Sequence, residues 1–175
     1  MRVGSFIVVV VSMIFFSSSM AQTAKVLKGN QITEEALIEA LAPPPATRSI
    51  RPGSAPAAPA KPPAQGLMIT FQTNSAELTP DGKQKLDIVG KALNTDRLST
   101  FAFQVEGHAD PRGTAEWNLR LSQERADAVR QYLVQAQNVS PDRLKPVGKG
   151  DREPLNTENP AAAENRRVTL ITIVQ

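Results

Sequence analysis

Residues 101–126 read FAFQVEGHADPRGTAEWNLRLSQERA. The first seven alternate, with Phe101, Phe103 and Val105 facing one way, which predicts a half-buried strand. The strand stops at Gly107, and GHADPRG follows as a sharp turn carrying the carboxylate of Asp110, with Gly107 and Gly113 freeing the backbone. A helix then starts near Thr114 and runs without a breaker to about Gln137. At 100° per residue from Asn118, Ser122, Ala126, Val129, Tyr132 and Leu133 share one side, and Arg125 falls on it too. A solvated arginine belongs on the opposite face, beside Arg120, Glu124 and Asp127. A guanidinium drawn toward the apolar side needs an anion, because an unpaired buried charge is costly.

Two arrangements satisfy that need. Asp110 and Arg125 pair with each other as a structural salt bridge, or they stand a few ångströms apart and bind the two ends of a zwitterion. In the second case Asp110 takes an ammonium and Arg125 takes a carboxylate in a bidentate pair. Amide donors at the nearby helix N-terminus favour the same carboxylate, and Asn118 lies two turns before Arg125 on the same face.

Outward from this stretch, the rest of the chain alternates strands and helices. LMITFQT, from Leu67, has the period of a half-buried strand, and Thr79-Pro80-Asp81 opens a helix with a cap, a first-turn proline and an acid at the positive end of the dipole. Residues 144–150 predict a third strand, DREPLNTENP a polar loop, and residues 160–166 a short helix. VTLITIV, from Val168, is β-branched and apolar on both faces, which suits a central strand. The expected class is α/β: a two-layer domain with helices packed on a mixed sheet of about four strands, preceded by a Pro-rich linker.

Four segments are expected: residues 1–21, 22–42, 43–66 and 67–175. The first has Arg2, an apolar run from Phe6 to Phe16 and Ser19-Met20-Ala21 at its end, the pattern of a signal peptide cleaved after Ala21. The run is shorter than the roughly 17 residues that span a bilayer. The second holds an amphipathic helix, capped by Thr33 and stapled by Ile32 on Leu37, too short to stand alone; it docks on a partner or frays. The third has eight prolines among small residues, a linker favouring extended polyproline II.

Composition excludes several function classes. The chain has no cysteine and a single histidine, His108, so thiolate chemistry, disulfides, cysteine-linked lipids and the usual three-ligand zinc site are excluded, and no metal or cofactor is expected. Residues 67–175 hold fourteen Lys/Arg and fourteen Asp/Glu. The basic sequence pI of about 9.4 therefore comes from the segments before them, and no basic stripe with aromatics indicates nucleic acid. Glu106 and Asp110 are the nearest carboxylates, but they come from a strand end and a turn and no activated nucleophile accompanies them, so no catalytic residue is assigned.

FQTNSAEL at Phe71, VEGHADPRGT at Val105, WNLRLSQERADAV at Trp117, VGKGDREP at Val147 and ENRRV at Glu164 occur in order across residues 67–175. In this the chain resembles the OmpA-like peptidoglycan-binding domain family. The resemblance implies non-covalent binding of peptidoglycan through the diaminopimelate side chain of its stem peptides, linking the envelope to the wall. It places the ligand aspartate on Asp110, the ligand arginine on Arg125, the supporting asparagine on Asn118 and a loop contact on Asn74. It implies a periplasmic location, associated with the outer membrane of a Gram-negative bacterium. Ala109 stands where the family usually has threonine, which removes one hydroxyl. Arg166 and Arg167 read either as solvated cations at a helix end or as support for the ligand loop. The alternative function is a periplasmic protein-interaction module of the same fold that binds an envelope protein through residues 22–66 and does not bind the wall.

Overall fold

The computed structural model describes residues 26–44, 62–72 and 74–174. The expected signal peptide, and residues 45–61 of the expected linker, lie outside them. Five strands form one sheet in the order β1-β2-β5-β3-β4: β1 Val26–Leu27, β2 Ala64–Leu67, β3 Ala102–His108, β4 Leu144–Gly150 and β5 Val168–Ile173. β1 and β2 are parallel, as are β3 and β4, while β5 runs antiparallel to both β2 and β3. The sheet is mixed, as expected, with one strand more than the sequence suggests. Helices α1 Glu34–Leu41, α2 Pro80–Leu93 and α3 Ala115–Gln137 pack on it.

The alternation in β3 sets the two faces. Phe103 and Val105 are fully buried in the helix-facing core with Leu86, Leu93, Val129, Leu133 and Leu170. Gly107 continues that face, and a Cβ there would collide with the Ser122 carbonyl of α3. Its role is thus close approach of strand and helix. The turn that follows falls to Gly113, whose φ is +110°.

Two expected boundaries move. The strand predicted at residues 67–73 begins at Ala64, inside the expected linker, and ends at Leu67. Ala64, Gln65, Gly66 and Leu67 pair with Ile171, Leu170, Thr169 and Val168. Beyond Leu67 the backbone turns to other partners: the Met68 N–H donates to the Leu27 carbonyl, and the Thr79 N–H to that of Thr70. The expected helix at 160–166 is only a 3-10 turn, Ala163–Asn165.

The N-terminal helix is also reassigned. Thr33 caps it, its hydroxyl accepting from the Ala36 N–H, and Ile32 and Leu37 are both buried. Its apolar face is turned into the chain's own core against α2, β2 and β5, so that face is not free to hold an envelope partner. Thr172 Oγ1 donates to the Leu41 carbonyl at 2.6 Å, satisfying one of the orphan acceptors at the helix end. The folded unit therefore includes residues before the linker, and the segment 22–42 is not separate from the domain that follows.

The opposite face of β3 is polar. Gln104 Nε2 donates to Glu106 Oε1 at 2.7 Å, and Lys149 Nζ lies 3.1 Å from the same oxygen. Burial pushes the Glu106 carboxyl up, but the neighbouring His108, the Lys149 ammonium and the Gln104 amide outweigh it and hold it at about 2.

Two predictions follow from this packing. Leu41→Ala should cost about 2–5 kcal/mol in urea denaturation, whereas Glu39→Ala, on the exposed side, should stay within about 0.5 kcal/mol. A Leu41 variant as stable as wild type would detach α1 from the core. Because the folded pKa of Glu106 is depressed, its stabilisation is complete above its ordinary pKa of 4.5 and is lost as pH falls toward about 2. Glu106→Gln should therefore be less stable than wild type at neutral pH, and the gap should close across that window. A gap independent of pH would show that the charge contributes nothing.

Candidate functional site

The Asp110 turn is clamped from both sides. The His108 N–H donates to the Arg167 carbonyl at 2.9 Å, and the Ala109 N–H donates to the Gly150 carbonyl at 2.8 Å. Thr114 then caps α3, its hydroxyl accepting from the Trp117 N–H. Two turns into the helix, Ser122 Oγ accepts from the Gly150 N–H at 2.8 Å, and Gln123 Oε1 accepts from the Gly148 N–H at 2.6 Å. These bonds fix the phase of α3 against β4 and, with it, the direction of Asn118 and Arg125.

All four residues assigned from the sequence, Asn74, Asp110, Asn118 and Arg125, line one cavity of about 500 Å³. Trp117 forms part of its wall and is 41% exposed. Ala109 is buried beside it, a methyl group in the position where a hydroxyl was expected.

Asp110 and Arg125 do not hold each other. Asp110 is taken by two other arginines. Arg112 donates its backbone N–H and Nε to Oδ1 at 3.1 and 2.9 Å and its Nη2 to Oδ2 at 2.6 Å, and Arg166 Nη1 reaches Oδ2 at 2.8 Å. The Arg112 fork, offset by burial and reinforced by Arg166, keeps the carboxyl well below its ordinary range. Asp110 is therefore ionised at any physiological pH.

Arg125 has no carboxylate partner among the described residues. Its Nε donates to the Ser75 carbonyl at 3.1 Å, and its guanidinium stands 5.0 Å from the centroid of the Phe71 ring. Burial and the nearby Arg166 cation depress its pKa, with Asp110 acting the other way. It stays charged, as arginine does in proteins. The loop that presents Ser75 bends through Asn74, at φ +50°, and is closed by the Gln72 N–H donating to the Glu77 carbonyl. Asn118 Nδ2 donates to Asp151 Oδ2 at 3.1 Å.

Sequence reasoning missed the Arg112 fork and the Asp151 bond. The first had a local signal, since Asp-Pro-Arg invites an aspartate to bond backbone two residues on; the second joins residues 33 apart and has none. Of the two readings of Arg166, support for the turn fits the geometry. Its position depends on Asn165, whose side chain accepts from the Leu155 and Asn156 N–H groups and donates to the carbonyls of Asn156, Asn159 and Pro160. That one buried amide organises the polar loop and delivers Arg166 to Asp110.

With Arg112, Arg166 and Arg125 against Asp110, the wall carries three cations and one anion. The arrangement suits a ligand with at least one carboxylate. Among the described residues no group of three or more His, Asp or Glu side chains is placed to hold a metal, and no helix is long and apolar enough to cross a membrane.

The family model described as "OmpA family" matches residues 70–167, more than half of the chain. The peptidoglycan-associated lipoprotein of Pseudomonas aeruginosa is 40% identical over 102 residues, which cover 57% of this chain and 58% of that protein. Outer membrane protein A of Bordetella avium is 34% identical over 102 residues, covering 57% and 51% respectively. The chain thus spans little more than half the length of these curated relatives. Among solved structures, the peptidoglycan-associated lipoprotein of Burkholderia pseudomallei superposes with a TM-score of 0.51 at 28% identity, over 60% of this chain and 88% of that one. The periplasmic domain of Helicobacter pylori MotB has the same fold, with a TM-score of 0.55 at 18% identity over 64% and 76%. The match runs through the cavity loop, the Asp110 turn, the long helix and the Asn165 loop, and the chain belongs to the OmpA family.

Proposed function

We propose that the chain binds peptidoglycan without covalent attachment, through the amino-acid centre at the end of a diaminopimelate side chain, and so ties the cell envelope to its wall. The observation that carries this reading is Arg125: a half-buried guanidinium with no carboxylate of its own among the described residues, facing the same cavity as an ionised aspartate. A ligand carboxylate completes Arg125 in a bidentate pair, and the ligand ammonium reaches Asp110. Asn74 and Asn118 supply polar contacts at the rim. The names of the relatives support the same assignment, since two of them are peptidoglycan-associated lipoproteins. A periplasmic location in a Gram-negative envelope follows from this role.

The reading is of a binding protein without catalysis. Asp110 is saturated by two guanidiniums, and Glu106 by Lys149 and Gln104, so neither is poised to move a proton near neutral pH. An ammonium arriving at Asp110 competes with Arg112, whose side chain is 67% exposed and free to swing outward. Arg166, held by the Asn165 loop, stays.

Co-sedimentation with isolated sacculi tests the assignment. Asp110→Ala and Arg125→Ala should each weaken binding by about tenfold or more, the scale of a lost charge-assisted contact. Arg125→Ala should keep its melting temperature within about 4 °C of wild type, because it removes a half-buried charge that has no carboxylate partner among the described residues. Retention of both variants on sacculi would overturn the site, and capture of envelope proteins instead would favour an interaction module. Arg112→Ala should bind up to about fivefold more tightly, the scale of an exposed ion pair. Weaker binding in that variant would make Arg112 a ligand contact rather than a competitor.

A further inference from the structure

Behind the Arg125 guanidinium lies a second, smaller cavity of about 210 Å³. Phe71, Arg125 and Arg166 line both cavities, and His108, Ala163 and Arg167 line only the smaller one. Its lining holds three guanidiniums and no carboxylate. All three cations have partial partners elsewhere: Arg125 Nε on the Ser75 carbonyl at 3.1 Å, Arg166 on Asp110, and Arg167 Nη2 on the Glu153 carbonyl at 3.3 Å, with the Glu106 and Glu153 carboxylates acting on Arg167 from outside the cavity.

The wall also contains donors that nothing satisfies. The His108 side chain is 2% exposed, and neither ring nitrogen has a hydrogen-bond partner. The nearest carboxylate oxygen, Glu106 Oε2, is 3.6 Å from Nε2, close enough for the two groups to feel each other's charge but too long for a hydrogen bond. Burial pushes the imidazole pKa down, so the ring is neutral and carries one N–H. Arg167 Nη1 is likewise buried with no acceptor. A buried donor left without an acceptor is costly, and native structures tolerate few of them. Two in the wall of one cavity call for an acceptor within hydrogen-bond distance, and a carboxylate supplies one to each donor.

We propose that the smaller cavity is a second anion subsite, which takes a further carboxylate of the same wall peptide whose amino-acid centre occupies the larger cavity. This rests on the function proposed above. Arg125 and Arg166 line both cavities, so one ligand with two carboxylates spans both spaces. Arg167 and His108 contact only the second carboxylate, while Asp110 contacts only the ammonium. The chain therefore distinguishes stem peptides by whether that second carboxylate is free or amidated.

Calorimetric titration of the whole chain with two synthetic peptides tests this. One is a stem tripeptide ending in diaminopimelate with a free C-terminal carboxylate, and the other is the same peptide as its C-terminal carboxamide. Wild type should bind the acid about tenfold more tightly than the amide. In Arg167→Gln that ratio should fall to near one with affinity for the amide unchanged, whereas Asp110→Asn should weaken both peptides alike. Equal binding of acid and amide by wild type would overturn the second subsite and leave the first intact. Failure of wild type to bind either peptide would overturn both. A titration with acetate alone, read on the His108 ring resonances, separates the sources of the anion. A shift with acetate but no preference for the acid peptide would mark a free-anion site and reject the peptide carboxylate.

Discussion

The site depends on how closely α3 sits on the β3–β4 edge of the sheet. Gly107 has no side chain where Ser122 passes, and the Ser122 and Gln123 side chains complete backbone donors of β4 directly. Those bonds leave little freedom in the rotation of the helix. Asn118 lies one turn before Ser122 and Arg125 one turn after it, so both are carried to the same side as the turn that ends β3. A bulkier residue at 107 would act on the site without touching it, by lifting α3 and changing the distance between the Asp110 turn and Arg125.

Electrostatics then decide what this geometry can hold. A mutual Asp110–Arg125 bridge would have produced a neutral, self-contained pair with no need of a ligand. Instead Arg112 and Arg166 neutralise Asp110 and leave Arg125 against a carbonyl and an aromatic ring. A carbonyl and a π face ease a buried cation but carry no net charge to balance it. Three arginines against one aspartate set the surplus positive charge at the cavity, and the pairing of Asp110 with Arg112 and Arg166 leaves Arg125 without a carboxylate.

Much of this was legible in the sequence because helical phase and turn chemistry are local. The position of Arg125 among Ala126, Val129 and Leu133 already said that it could not be solvated like Arg120, and Gly-His-Ala-Asp already said that a carboxylate sits at a strand end. Long-range choices were not legible. Asp-Pro-Arg hints at the Arg112 backbone bond, but nothing local ranks Arg125 against Arg166 as a further partner of Asp110, since Arg166 lies 56 residues away. Strand β2 was hidden for a related reason. Ala-Gln-Gly has weak intrinsic strand preference, and its extension comes from backbone pairing with β5. The amphipathic pattern of α1 showed that it had an apolar face to bury, and that pattern is the same whether the cover is a partner or the chain's own core.

The polar loop before β5 shares control of the site with α3. Asn165 spends both its oxygen and its nitrogen on loop backbone, and the two residues after it go to different tasks. Arg166 turns to Asp110, and Arg167 turns back to Glu153 while its own carbonyl accepts from His108. One fixed amide therefore places two of the cations, Arg166 and Arg167, while Arg125 is placed by the helix. Loss of the Asn165 bonds would release Arg166 from the aspartate and Arg167 from the second cavity together, so the charge balance of the site is a cooperative property of the loop rather than a sum of independent side chains.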